Sequence, residues 1–138
     1  MTLELLVDGV RFSGWTNVEV VRAMEQAASS FALGLTERWP GRNEPWLIGA
    51  GAECQILIDG ELLISGYTDT FSVNYDASTH SIDTTGRAKS GDLIDCSADI
   101  KGGQFRGRTA FEIINSLCAP FGIEVISEIP AEPITDLQ

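Results

Sequence analysis

At 138 residues and 14.9 kDa the chain has room for one full domain and little more, and 43% hydrophobic content gives it a core without disulfide or metal staples. Twenty acidic against nine basic residues, a net charge of −11, exclude general nucleic-acid binding, which needs cations to neutralise phosphates. The short apolar runs Ile56-Leu57-Ile58 and Leu62-Leu63-Ile64 predict no membrane span, and an N-terminus with Glu4 and Asp8 and no Lys before Arg11 predicts no signal peptide.

In chain order the first 87 residues read as β structure. Strands are predicted at 3–7, 10–13, 16–22, 31–35, 53–58, 61–73 and 80–87, separated by the turn signals Asp8-Gly9 and Asp59-Gly60 and the polar stretch 74–81. An Asp-Gly pair between apolar runs is the strongest short hairpin signal, because a two-residue type I′ turn needs positive φ at both positions. Val18 and Val20 on one face and Glu19 and Val21 on the other predict a strand partly covered on both sides. Residues 23–30, rich in Ala and Ser, suit either one or two helical turns or a bulge. Asp8-Gly9 with Ser13-Gly14-Trp15-Thr16-Asn17 is echoed by Asp59-Gly60 with Ser65-Gly66-Tyr67-Thr68-Asp69, with one extra residue in the second copy; two similar hairpins or chance would produce it.

The clearest helix starts at Thr109, where Thr109-Ala110-Phe111-Glu112 matches a capping box. Phe111, Ile114, Leu117, Cys118 and Phe121 form its apolar stripe, and Pro120 and Gly122 end it. A short strand is predicted at 123–126, followed by a Pro-rich linker.

Nothing in this pattern assembles a catalytic constellation. His80, the single histidine, stands in or beside a turn and reads as a solvated turn residue in preference to a general base. Asp92, Asp95 and Asp99 lack a histidine or a calcium-loop spacing, and Gly86 to Gly91 lacks the Lys-Ser/Thr of a phosphate loop. Cys54, Cys96 and Cys118 read as reduced thiols packed like small apolar residues. No enzyme, cofactor or metal is therefore expected.

The charge is uneven. Residues 1–86 hold 12 acids and 4 bases, residues 87–108 hold 3 and 5, and residues 109–138 hold 5 acids and no base. Arg87, Lys89, Lys101, Arg106 and Arg108 are thus either solvated charge or a patch that meets an acidic neighbouring subunit. Trp39 and Trp46 flank a segment without periodicity, where large aromatics either fold back or dock on another chain.

Three blocks carry a family resemblance. Val7-Asp8-Gly9 with Phe12-Ser13-Gly14-Trp15, Val18 to Glu25 and Phe31-Ala32-Leu33 come first, Gly86-Arg87-Ala88-Lys89-Ser90-Gly91-Asp92-Leu93-Ile94-Asp95-Cys96-Ser97 second, and Leu117-Cys118-Ala119-Pro120-Phe121-Gly122-Ile123 third. Together they resemble the Mu-like phage baseplate hub, or tail protein P, family. The resemblance implies a mainly β fold with minor α: an antiparallel tail-tube-like β-barrel or split barrel over residues 1–100, then the beginning of a second α+β domain over 101–138 whose C-terminal part is linker or truncated. It implies a structural hub of a contractile tail, made in the host cytoplasm and carried in the virion. Three copies of the full-length protein would form a ring between tail tube and spike, through which DNA passes. In that frame Arg87, Lys89, Asp92, Asp95, Trp39, Trp46, Arg106 and Arg108 are candidate subunit-interface residues, and Glu19, Glu53, Asp59, Glu61 and Asp69 are candidate lumen acids that repel DNA. The alternatives are the hub of a prophage-derived or secretion-type particle and a small β-barrel module that binds a sugar or peptide.

Overall fold

The computed structural model describes residues 1–36, 48–75, 80–99, 104–130 and 132–134. The alternating apolar residues of the first 88 positions form one antiparallel sheet of seven strands: β1 (Leu3–Val7), β2 (Val10–Phe12), β3 (Asn17–Val21), β4 (Ser30–Thr36), β5 (Glu53–Ile58), β6 (Glu61–Tyr75) and β7 (His80–Ala88). Their spatial order is β2-β1-β5-β6-β7-β4-β3. Both Asp-Gly turns form as the sequence predicts, with φ of 49° at Asp8 and Asp59 and 80° and 86° at Gly9 and Gly60. Aspartate tolerates the left-handed conformation and glycine has no Cβ to oppose it.

Period-two alternation puts Leu3, Leu5 and Val7 of β1 in register with Ile58, Ile56 and Cys54 of β5. Phe31 and Leu33 of β4, Ile64 of β6 and Ile48 join the same core. Burying Leu5 or Ile56, both 0% exposed, contributes roughly 1.5 to 3 kcal/mol each. Across from Phe31, Gly86 of β7 leaves the space in which the ring lies; a Cβ there would overlap the ring and the Tyr67 carbonyl.

The sheet is rolled without being closed. Laid flat, six inter-strand steps of ~4.8 Å would separate β2 from β3 by roughly 29 Å. The connection from Phe12 to Asn17 spans at most roughly 18 Å, so the edges must curl toward each other. Gly14, at φ 86°, breaks the pairing there, and Thr16 instead ties to Gly34, its amide and hydroxyl donating to that carbonyl at 2.9 and 3.2 Å. Among the described residues no ladder joins β2 to β3, so the expected barrel is a split one. Two bulges, at Leu63 and Asp69, bend the long β6 so that one end pairs with β5 and the other with β7. Thr84, wholly buried, satisfies the backbone there by donating to the Thr70 carbonyl at 3.0 Å.

Some expectations are corrected. Residues 23–29 form no helix; one tight turn, Gln26 N–H to Ala23 O at 3.3 Å, closes the β3–β4 connection. Where partial cover on both sides was expected, edge strand β3 leaves Val18 and Val21 exposed and half-buries Val20 against the core. Cys96 is exposed, while Cys54 and Cys118 are buried.

The contacts divide the chain into units Met1–Lys89 and Ser90–Gln138; sequence analysis set the division at 100 and 101. The last sheet register ends at Ala88, after which a 3₁₀ turn, Lys89–Gly91, leads into α1 (Asp92–Asp95). The second unit holds β8 (Arg108–Thr109), α2 (Ala110–Cys118) and β9 (Pro133–Ile134), with β8 and β9 antiparallel. The capping box is present: Glu112 N–H donates to Thr109 Oγ1 at 3.2 Å and Thr109 N–H to Glu112 Oε2 at 2.8 Å. The Thr109 amide and, at 3.2 Å, the Thr109 hydroxyl both donate to Glu112 Oε2 and hold that carboxyl below its ordinary pKa. The buried face matches the expected stripe only in part: Cys118 is buried and Leu117 and Phe121 are half-buried, but Phe111 and Ile114 are exposed and Ile113 is buried instead. No strand forms at 123–126; Gly122, at φ 62°, turns the chain out of the helix and residues 123–130 run irregularly.

Candidate interaction surfaces

The candidate lumen acids do not behave alike. Glu19 lies on edge strand β3 and Glu53 on β5, both exposed, while Glu61 follows the second Asp-Gly turn. Asp59 is committed to local structure: its Oδ1 accepts the Thr2 amide at 2.7 Å, and its own amide donates to Thr2 O at 2.9 Å. The terminal amine stands 3.9 Å from the same oxygen. Asp69, the extra residue of the second bulge, lies 3.6 Å from Arg87 Nε. Among the described residues no cation stands within 4.0 Å of Glu19, Glu53 or Glu61, so none of the three forms a close ion pair.

The candidate interface residues also separate. Arg87 is engaged with Asp69 on the outward face of β7. Lys89 borders a groove of about 310 Å³ with Glu53, Tyr67 and the first Asp-Gly turn. Cys54, at the floor of this groove, has its thiol pushed up to about 11 by burial and by the Asp69 charge, so it stays protonated and unreactive at neutral pH. Asp92 and Asp95 open and close α1. Arg106 and Arg108 line a different groove, of about 520 Å³, in the second unit. Trp39, Trp46 and Lys101 lie outside the described residues.

Sequence reasoning missed this second groove. Its apolar part comes from Phe105, Leu117 and Phe121, and its rim from Arg106, Arg108 and Asp99. The available signal was Phe105 inside the basic segment, an aromatic beside two arginines with no strand or helix periodicity to claim it. Among the described residues no three ligand-type side chains converge on one point as a metal centre requires. No described helix is long and apolar enough to cross a membrane.

Known proteins share this architecture. A family profile described as Mu phage baseplate assembly protein GpP-like, N-terminal, matches residues 2–88, and one described as baseplate hub protein gp44-like, second domain, matches residues 90–138. The chain is 38% identical over 128 residues to the baseplate hub protein gp44 of Escherichia phage Mu, covering 93% of this chain and 33% of that protein. It superposes on the crystal structure of the prophage MuSo2 43 kDa tail protein from Shewanella oneidensis with a TM-score of 0.87 and 34% identity, covering all of this chain and 44% of the other. The tail protein of Neisseria meningitidis MC58, at 19% identity and a TM-score of 0.83, shares the fold. The chain thus spans less than half the length of these relatives. Since the first profile covers the whole seven-stranded unit and the second continues from it, this chain belongs to the Mu phage baseplate assembly protein GpP-like family.

Proposed function

We propose that the chain is a structural part of a phage baseplate hub, in which three copies of the whole protein form a ring between tail tube and spike and DNA passes through the opening. The observation that carries this reading is the 38% identity to the Mu baseplate hub protein across 93% of the chain. The open sheet supports it, because β2 and β3 present two unlike edges, and unlike patches make the head-to-tail contacts from which rings are built. The protein is made in the host cytoplasm and resides in the virion tail. Mass measurement and electron microscopy of the full-length protein test the assembly: a closed trimeric ring is expected, and a monomer at working concentration overturns it.

Two features follow within this reading. Glu19, Glu53 and Glu61 supply negative surface to the ring's opening, repelling phosphates within a Debye length of about 8 Å, while Asp59 and Asp69 serve the fold. The basic residues Arg87, Lys89, Arg106 and Arg108 offset self-repulsion between acidic subunits, with Asp92 and Asp95 beside them at the contact; Trp39 and Trp46 belong to the same candidate contact.

A further inference from the structure

We propose that the loop Glu124–Pro130 of one copy docks into the Arg106–Arg108 groove of a second copy. This deepens the oligomeric reading above and rests on it. The groove pairs an apolar floor of Phe105, Leu117 and Phe121 with a rim of two guanidiniums and a single carboxylate, Asp99. Arg106 donates to Gln104 Oε1 at 3.0 Å, and among the described residues no carboxylate stands within 4.0 Å of either arginine's guanidinium.

The loop has the complementary character. Ile126 and Ile129 are 80% and 79% exposed, and Glu124 and Glu128 beside them are exposed carboxylates. Ser127, between the two isoleucines in sequence, ties to Ile129, its hydroxyl donating to Ile129 O at 2.9 Å. The loop is held at both ends, by Ile123 N–H to Cys118 O at 3.3 Å and by the β8–β9 pairing. It therefore projects two large aliphatic side chains at little further ordering cost.

Its residues do not line the groove of their own unit. The second unit thus carries an acidic apolar plug and a cationic apolar socket, neither of which is filled by the other among the described residues. A second copy fills both, in a head-to-tail contact of opposite charges.

A charge exchange tests this on the full-length protein, with dissociation constants from sedimentation and circular dichroism as the check on folding. Arg106→Glu alone and Glu128→Arg alone should each weaken self-association at least about tenfold, and the two combined should restore it to within about threefold. Ile126→Ser with Ile129→Ser should weaken it without rescue by either charge change. If the native protein associates but the combined variant stays as weak as the single ones, or the isoleucine variant associates normally, the docking is overturned while the oligomer stands. A native protein that remains monomeric overturns the docking together with the oligomeric reading.

Discussion

Leu5 of β1 stands directly opposite Ile56 of β5, 51 positions later in the chain, and neither side chain is exposed. Leu33 and Thr84 form the matching centre of the β4–β7 ladder, again 51 positions apart and both buried. The turn residues Asp8 and Asp59 keep the same separation and the same φ of 49°. The registers are therefore two-fold symmetric: β1, β2 with β3, and β4 correspond to β5, β6 and β7. The halves differ where Gly14 breaks the middle strand of the first, while β6 runs through two bulges.

This symmetry makes Leu5 and Ile56 equivalent stability sites. Leu5→Ala and Ile56→Ala should each cost about 2 to 5 kcal/mol in denaturant unfolding. Because the side chains are neighbours, the double variant should depart from additivity by at least about 0.5 kcal/mol.

Gly86→Ala should destabilise the sheet by about 1 to 3 kcal/mol, since the new methyl enters space held by the Phe31 ring and the Tyr67 carbonyl. Gly49→Ala is the control, because nothing lies within 4 Å of a Cβ built there; it should change stability by no more than about 0.5 kcal/mol.

Thiol labelling at neutral pH should find one fast cysteine, Cys96, and two slow ones, Cys54 and Cys118, that react only on unfolding. The Cys54 thiol is raised from 9.0 to about 11 in the fold, so between those values the unfolded chain releases a proton that the native state keeps. Its contribution to stability is complete below pH 9 and is lost as pH rises toward 11. Cys54→Ala should flatten that alkaline limb of the stability profile.

The Glu112 carboxyl has the opposite sign. Its pKa is lowered by the bonds from Thr109, so its contribution is present above the ordinary value of 4.5 and disappears as pH falls through the lowered one. Following the Thr109 amide by NMR should show that transition below 4.5; Glu112→Gln should abolish it, whereas Thr109→Ala, which keeps the amide donor and loses the hydroxyl, should leave a smaller lowering while costing α2 about 1 kcal/mol.

Asp59→Asn keeps a residue that tolerates the left-handed turn but weakens the grip on the N-terminus. Amide exchange at Thr2 should accelerate, while global stability falls by no more than about 1 kcal/mol.

Much of this was legible in the sequence, for local reasons. Alternation placed β1 and β5 to the residue, and the Asp-Gly pairs gave the hairpins, because only short-range sterics are needed to read them. The capping box at Thr109 was equally local. The misses were long-range. Phe111 and Ile114 share helical spacing with Leu117, yet the neighbours available to α2 cover Ile113 instead. Asp59 and Glu61 look alike as exposed acids, but only the folded chain brings Thr2 to Asp59.

The amino-acid order by itself determined where the strands of the first unit begin and turn, how charge is apportioned along the chain, and which family's motifs it carries, since each depends on residues close in sequence. The tertiary structure decided that the sheet rolls but stays open between β2 and β3, and which acids serve the fold. It also decided that Arg106, Arg108 and Phe121 share one groove while Ile126 and Ile129 stand outside it. These follow from strand register and closure geometry, which bring distant residues together and are fixed only when the whole chain packs.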